Sequence, residues 1–367
     1  MRILVVCHSS RGIVCSAKKA GYTVYAIDNF GDVDMLGCAD KAELSGNAPE
    51  DRIYELARSF GDFDAVVLGP GFEKLRFRNI LSNRLPVMQE VNDKLKIAKR
   101  FASLDIPHPD TELLTKASGD RFPLMIKPRF GSGGMLNITV RDEDELADFK
   151  ARDDAGNFIA QEFVEGTPCS ASLICTGDDA AVIALNEQLI GTPWLTRLPF
   201  AYCGNITPFR TGSGNEMVQY AARIAREFKL VGSNGVDFIL TEKGAVALEV
   251  NPRFQGSLDT IELSTGISVF DAHVRSFAGE LPRMRDFSRY AAKAILYADR
   301  RLIIDKKLSD RLIGCMNANH AADVPQAGCV ISPDEPVATL LGTGETREIA
   351  LGNASKYAYT IRAMSEA

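Results

Sequence analysis

The chain has 367 residues, more than one ordinary core holds, which points to two or three domains. Hydrophobic residues make up 46% and charged residues 25%, close to globular averages, so disorder and low complexity are excluded as its main theme. A net charge of −6 argues against a duplex binder and so predicts no nucleic-acid partner, and the absence of any apolar run long enough for a signal peptide or a membrane span predicts no membrane partner and a cytoplasmic location.

In chain order, residues 2–7 read as an apolar strand, 11–20 as a helix and 22–27 as a second strand ending at Asp28. A helix near 49–60 and the strand Ala65-Val66-Val67-Leu68 continue the alternation, which favours a parallel sheet with helices on its faces. The loop Cys7-His8-Ser9-Ser10-Arg11-Gly12 lacks the Gly-x-Gly-x-x-Gly of a dinucleotide site, which weakens a nicotinamide-dependent dehydrogenase as a reading. Ligands of such sheets bind beyond the carboxyl ends of the strands. His8, Ser9, Ser10 and Arg11 are therefore candidates to contact an anionic substrate, on equal terms with a capped helix N-terminus and a solvated Arg.

A helix near 92–104 begins with Asn92-Asp93-Lys94. Lys94 sits at the wrong end of that helix for its dipole, an oddity that a bound phosphate would resolve, although a solvated helix face is the commoner reason for a single Lys. Beyond the stiff Ile106-Pro107-His108-Pro109 linker, strands are expected at 122–127, 136–140 and 157–164, with a helix near 142–152. This is a small mixed unit suited to a lid. Lys127 ends the first of these strands and Gly131-Ser132-Gly133-Gly134 follows. Glycines let backbone N–H groups approach phosphate oxygens and the Lys adds a compact charge, though a plain hairpin turn reads the same way. Glu162-Phe163-Val164-Glu165-Gly166 is either an edge strand with a turn or a segment whose backbone pairs with a base while apolar side chains cover its face.

A strand at 169–175, an irregular stretch to 213 and a helix at 215–229 lead to two alternating runs, Gly235 to Leu240 and Val246 to Arg253. Glu242-Lys243-Gly244 offers a three-residue hairpin loop that sets Asp237 opposite Glu249, two like charges on one face. Asn251 shares that face. Oxygen-only ligands at this spacing suit Mg²⁺. Arg253 keeps the same alternation phase, where its guanidinium would stabilise charge on a transferring phosphoryl group. A β-rich tail with a closing helix runs from about 280. The eight cysteines, at 7, 15, 38, 169, 175, 203, 315 and 329, lack zinc or Cys-x-x-Cys spacing and read as reduced, mostly buried thiols. Trp194 and Arg210 lie where an acceptor could bind, or serve as core and surface residues.

Taken together and in this order, these segments resemble the ATP-grasp superfamily, in particular archaeal-type proteins described as predicted ATP-dependent carboligases or carboxylate–amine ligases related to biotin carboxylase. The resemblance implies an α/β ATP-grasp fold: an N-terminal Rossmann-like sheet (1–90), an ATP-grasp domain (91–279, lid about 112–165) and a β-rich C-terminal subdomain (280–367). It implies that Lys94 and Lys127 hold phosphates, that Gly131, Ser132, Gly133 and Gly134 cover them, and that Glu162, Phe163, Val164 and Glu165 form the adenine hinge. Asp237, Glu249 and Asn251 would carry Mg²⁺, with Mn²⁺ as an alternative, and Arg253 would be catalytic. ATP is the implied cofactor, small-molecule carboxylates and amines the partners, and a homodimer an open option. The implied activity joins a carboxylate, activated as an acyl phosphate, to an amine or similar nucleophile. A non-catalytic ATP-binding sensor or scaffold is the alternative. Thr167-Pro168-Cys169-Ser170 departs from the family's ribose-holding glutamate, and Phe254-Gln255-Gly256-Ser257 lacks the Val-Glu-His used for biotin.

Overall fold

Four short runs, Arg2–Val6 (β1), Thr23–Asp28 (β2), Lys41–Leu44 (β3) and Ala65–Leu68 (β4), pair in parallel in the order β3-β2-β1-β4. They belong to a computed structural model that describes residues 1–366 apart from Asn47, Asp120 and Ser132. Ile3, Val5, Val66 and Val67 are fully buried, because helices cover both faces and no alternation is required. The helices are Arg11–Lys19 (α1), Val33–Cys38 (α2) and Glu50–Ser59 (α3). Around this sheet, α2 and β3 are not anticipated by sequence patterning; they are six and four residues long, too short to show a period.

Leu85–Val91 (α4) and Lys94–Ser103 (α5) lead into an antiparallel sheet of Thr111–Leu113 (β5), Leu124–Pro128 (β6), Ile138–Val140 (β7) and Phe158–Glu162 (β8), ordered β5-β8-β6-β7. Leu146 of Glu143–Lys150 (α6) closes its own small core with Leu124, Ile126 and Val140.

The largest sheet takes Thr167–Thr176 (β9), Ala180–Ile190 (β10), Tyr202–Thr207 (β11), Val231–Thr241 (β12), Gly244–Asn251 (β13) and Tyr290–Tyr297 (β14). After the ribbon strand Leu302–Ile303 (β15) it adds Ala321–Ala322 (β16); Val330–Ile331 (β17) pairs with β15, and Pro336–Gly344 (β18) completes it. Its order is β13-β12-β9-β10-β11-β14-β18-β16. Gly214–Glu227 (α7) packs Met217, Ala221 and Ile224 beneath β9 and β12. Leu258–Thr265 (α8) and Val269–Ser276 (α9) lie toward α1, while Lys306–Asn317 (α10) and Arg347–Glu366 (α11) serve the far end. Trp194 packs against that end core, tilted on Tyr359, so of its two readings the structure supports packing. Arg210 is exposed, its guanidinium 6.0 Å from the Tyr290 ring.

Two expectations are corrected. The stretch expected to be irregular up to residue 213 holds β10 and β11. Their inward side chains include Asn186, Asn205 and Thr207, all buried in one polar network with Ser170, Ser172 and Thr260, so no apolar alternation betrays the strands. The cysteines are not all free thiols: Cys15 and Cys38 form a disulfide across 23 residues, brought together by the packing of α1 on α2. Cys7, Cys169, Cys175, Cys203 and Cys315 are free and buried.

Candidate active site

Asp237 and Glu249 are direct partners across β12 and β13, though not for the reason the loop length gives. Thr241 pairs with Gly244, so the turn holds two residues and would by itself place Asp237 opposite Leu248. The register shifts between Asp237 and Phe238, and the extra residue is Leu248. A bulge of this kind puts two residues against one. It restores the acidic pair.

Both carboxylates and Asn251 line a cavity of about 960 Å³ between the lid and the large sheet. Burial and the neighbouring Glu249 charge push the Asp237 carboxyl well above the usual carboxylate range. Against its own burial, Glu249 is held below that range by Lys94, Lys127 and Arg253. Gln188 donates to Asp237 Oδ1 at 3.1 Å and Asn251 Nδ2 to Oδ2 at 3.0 Å. Two adjoining partly buried carboxylates, one driven toward its protonated form by desolvation and by the other, have the donor chemistry of a hard divalent cation site. The expected amide oxygen of Asn251 is not on that side; its nitrogen is, and a flip of the amide would be needed for the oxygen to join. Among the described residues no cluster of three or more His, Cys, Asp and Glu side chains is placed to hold a metal.

The cations surround this pair. Lys94, buried at the first turn of α5, places Nζ 3.6 Å from Glu249 Oε2 and donates to Gly131 O at 2.7 Å. Asp93 caps α5 through Leu95 N and Lys96 N, and Arg129 grips the same carboxylate with two bonds of 2.8 and 2.6 Å. The helix start and the end of β6 are thus tied together. Lys127 is also buried, and desolvation pushes its ammonium down to about 8 despite Glu249.

Gly131, Gly133 and Gly134 line the cavity; Ser132 lies outside the described residues. Tyr202 N donates to Gly133 O at 3.3 Å. A Cβ at Gly134, whose φ is +70°, would meet Phe200 O at 2.0 Å. The glycine loop is therefore seated directly on the 199–202 segment. Glu162, Phe163, Val164 and Glu165 also line the cavity, with Phe163 and Phe200 edge to face at 6.5 Å. Met125, Pro168, Ile239 and Leu248 supply apolar surface.

Arg253 lines the cavity and pairs with Glu73, Nε to Oε1 3.4 Å. Its turn is pinned by Asn83, which donates to Pro252 O at 3.0 Å and to Asn234 Oδ1 at 2.7 Å and accepts from Val231 N at 2.8 Å. Gln255 crosses over Gly235, where a Cβ would sit 1.2 Å from its Nε2. None of Glu73, Asn83, Gln188 and Gln255 carries a signal in the sequence beyond its polar type, because each acquires its role from a tertiary contact.

Of the first-loop candidates, Arg11 is placed elsewhere. It is buried, and its guanidinium grips Asp259 and Asp323, with bonds of 2.8 and 3.0 Å to Asp323, while Lys293 donates to Asp259 at 2.8 Å. Arg11 is therefore neither a free anion receptor nor a solvated side chain; it clamps three segments together. Ser10 N donates to Asp28 Oδ2 at 2.6 Å, and His8 and Ser9 are exposed, His8 against Phe30.

Residues 91–257 match the family model described as an ATP-grasp domain. The chain contains an ATP-grasp domain. An uncharacterized protein of Methanocaldococcus jannaschii is 25% identical to this chain over 374 residues, covering 95% of this chain and 90% of the relative. Among solved structures, the biotin carboxylase domain of the Hydrogenobacter thermophilus 2-oxoglutarate carboxylase, in complex with MgADP, ADP and bicarbonate, superimposes with a TM-score of 0.72 at 18% identity, covering 96% of this chain and 88% of that one. Phosphoribosylamine–glycine ligase of Thermotoga maritima gives 0.73 at 14% identity over 99% of this chain and 96% of that one. These likenesses bear on the fold, and the expected ATP-grasp architecture, a parallel sheet joined to a lid and a large antiparallel sheet, is the one observed. By their names these two neighbours are a carboxylase domain and a ligase.

Proposed function

We propose that the protein is an ATP-dependent ligase that activates a carboxylate as an acyl phosphate and joins it to an amine or similar nucleophile, releasing ADP and phosphate. One observation carries the reading: the acidic pair Asp237 and Glu249 opens onto the same cavity as Lys94, Lys127 and Arg253. Phosphoryl transfer asks mainly for positioning and charge neutralisation, and this set offers both. Lys94 and Lys127 hold phosphate oxygens, and the glycine loop covers them with backbone N–H groups. Glu162 to Glu165 receive the adenine against Phe163. Asp237 and Glu249, with Asn251 after an amide flip, would hold Mg²⁺ or Mn²⁺, which when bound neutralises phosphate charge. Arg253 steadies the charge that develops as the phosphoryl group moves. In keeping with this reading, a solved neighbour contains MgADP.

The division into 1–90, 91–279 and 280–367 is kept as part of the proposal, as is a cytoplasmic setting for a small-molecule enzyme; among the described residues no helix is long and apolar enough to cross a membrane. The test is ADP release from Mg-ATP across a metabolite panel, with mass spectrometry of the joined product. Glu249→Ala and Arg253→Ala proteins that remain folded lose substrate-dependent ADP release; unchanged turnover refutes the assignment. Calorimetric binding of Mg-ATP with no phosphate release across a broad set of acids would favour a sensor.

A further inference from the structure

We infer that Glu73 receives the incoming nucleophile, and that this nucleophile is a cationic amine held as its ammonium; the inference rests on the acyl phosphate reading above. In the parallel sheet, β1 is followed on one side by β2 and β3 and on the other by β4, so the chain reverses its direction of build between β1 and β4. Ligands of open parallel sheets lie in the crevice at such a point. The loops that border it are the one after β1, with His8 and Ser9, and the one after β4, Gly69 to Glu73. They touch: His8 N donates to Pro70 O at 2.9 Å, and a Cβ on Gly71 would lie 3.2 Å from His8 Cβ. Pro70 lines the nucleotide cavity, so crevice and cavity adjoin.

Glu73 is the acidic group at that junction. One carboxylate oxygen accepts from Gly71 N at 3.0 Å and the other lies 3.4 Å from Arg253 Nε. The Glu73 side chain keeps about a fifth of its surface exposed, against a tenth for Arg253, so a ligand can reach it. A phosphoryl group in the cavity offers Arg253 a more highly charged partner than Glu73 does. As Arg253 turns to it, Glu73 is left with an unpaired carboxylate beside the cavity, and an ammonium is the ion that satisfies it. A carboxylate or thiolate nucleophile would be repelled there. In the step itself Glu73 first takes one ammonium proton and passes it to water, which frees the nitrogen lone pair; the nitrogen then bonds to the acyl carbon, the carbon–oxygen bond to phosphate breaks with its electron pair leaving on phosphate, and the second nitrogen proton leaves with that phosphate.

The test uses the full-length protein, Mg-ATP and the twenty L-amino acids offered singly as acids and in pairs as acid and amine, with hydroxylamine as a second trap. Hydroxylamine is uncharged at neutral pH and captures acyl phosphates as hydroxamates without an ammonium site. Glu73→Gln should lower the ratio of amide to hydroxamate by about tenfold or more, and Glu73→Asp should recover part of it. An unchanged ratio in Glu73→Gln overturns the assignment of Glu73. Hydroxamate without amide from every pair in the native protein overturns the amine as nucleophile. No hydroxamate from any acid overturns the acyl phosphate reading instead, and hydroxamate formed by a variant certifies that it is folded.

Discussion

Asp237 faces Glu249 across the hairpin because Leu248 is the odd residue of a bulge. A single-residue irregularity thereby creates the like-charge pair around which the cations Lys94, Lys127 and Arg253 gather, and it turns Leu248 onto the wall of the cavity.

Lys127 is buried beside that pair and carries its ammonium at a cost that an incoming phosphate would offset. Lys127→Ala should weaken Mg-ADP binding by about 2 kcal/mol, the scale of a charge-assisted bond, as read by calorimetry. Its thermal stability should not fall, since a desolvated cation is removed.

Gly134→Ala places a methyl against Phe200 O and forces an L residue into a left-handed backbone. The cost is of order 1–3 kcal/mol, and the loop should release it by lifting from the 199–202 segment. Hydrogen exchange at Tyr202 N, which donates to Gly133 O, should accelerate in this variant.

Arg11→Ala leaves Asp259 and Asp323 facing each other with Lys293 as their remaining cation. Loss of one partner from a buried ion cluster costs about 3–5 kcal/mol. Denaturant unfolding should show it, and the double variant with Asp323→Asn should recover part of the loss.

His273 is buried among Phe254, Phe270 and Phe277, accepts from Ser233 N at Nδ1 and meets Leu81 O at Nε2. Burial pushes it down to about 4 from 6.5. The unfolded chain therefore binds the extra proton first as pH falls, and stability drains away between pH 6.5 and 4. The full effect is about 3 kcal/mol. His273→Gln should flatten that limb of the stability profile relative to the native protein, measured by urea unfolding from pH 7 to 4.

Much of the fold was legible because its elements carry strong periods. The βαβ opening, α5, α7 and the β12–β13 hairpin appear within a few residues of where apolar spacing puts them. What escaped is instructive. Part of the buried surface of β10 and β11 is polar, and Asn186, Asn205 and Thr207 look like loop residues until their mutual hydrogen bonds are seen. In the site, residues tied to a motif were nameable, whereas Asn83 and Glu73 act through Pro252 and Arg253, roughly 170 or more residues away in the chain. The acidic pairing was anticipated with the wrong turn length, and the bulge supplied the missing step.

The large sheet gathers its strands from both sides of residue 280: β11 is flanked by β10 on one edge and by β14 on the other. A fragment ending before Tyr290 would leave β11 with a bare row of amides, an invitation to pair with another copy. Anyone trimming this protein for expression should therefore keep the tail, since it is the selvedge that stops the weave from catching on its neighbours.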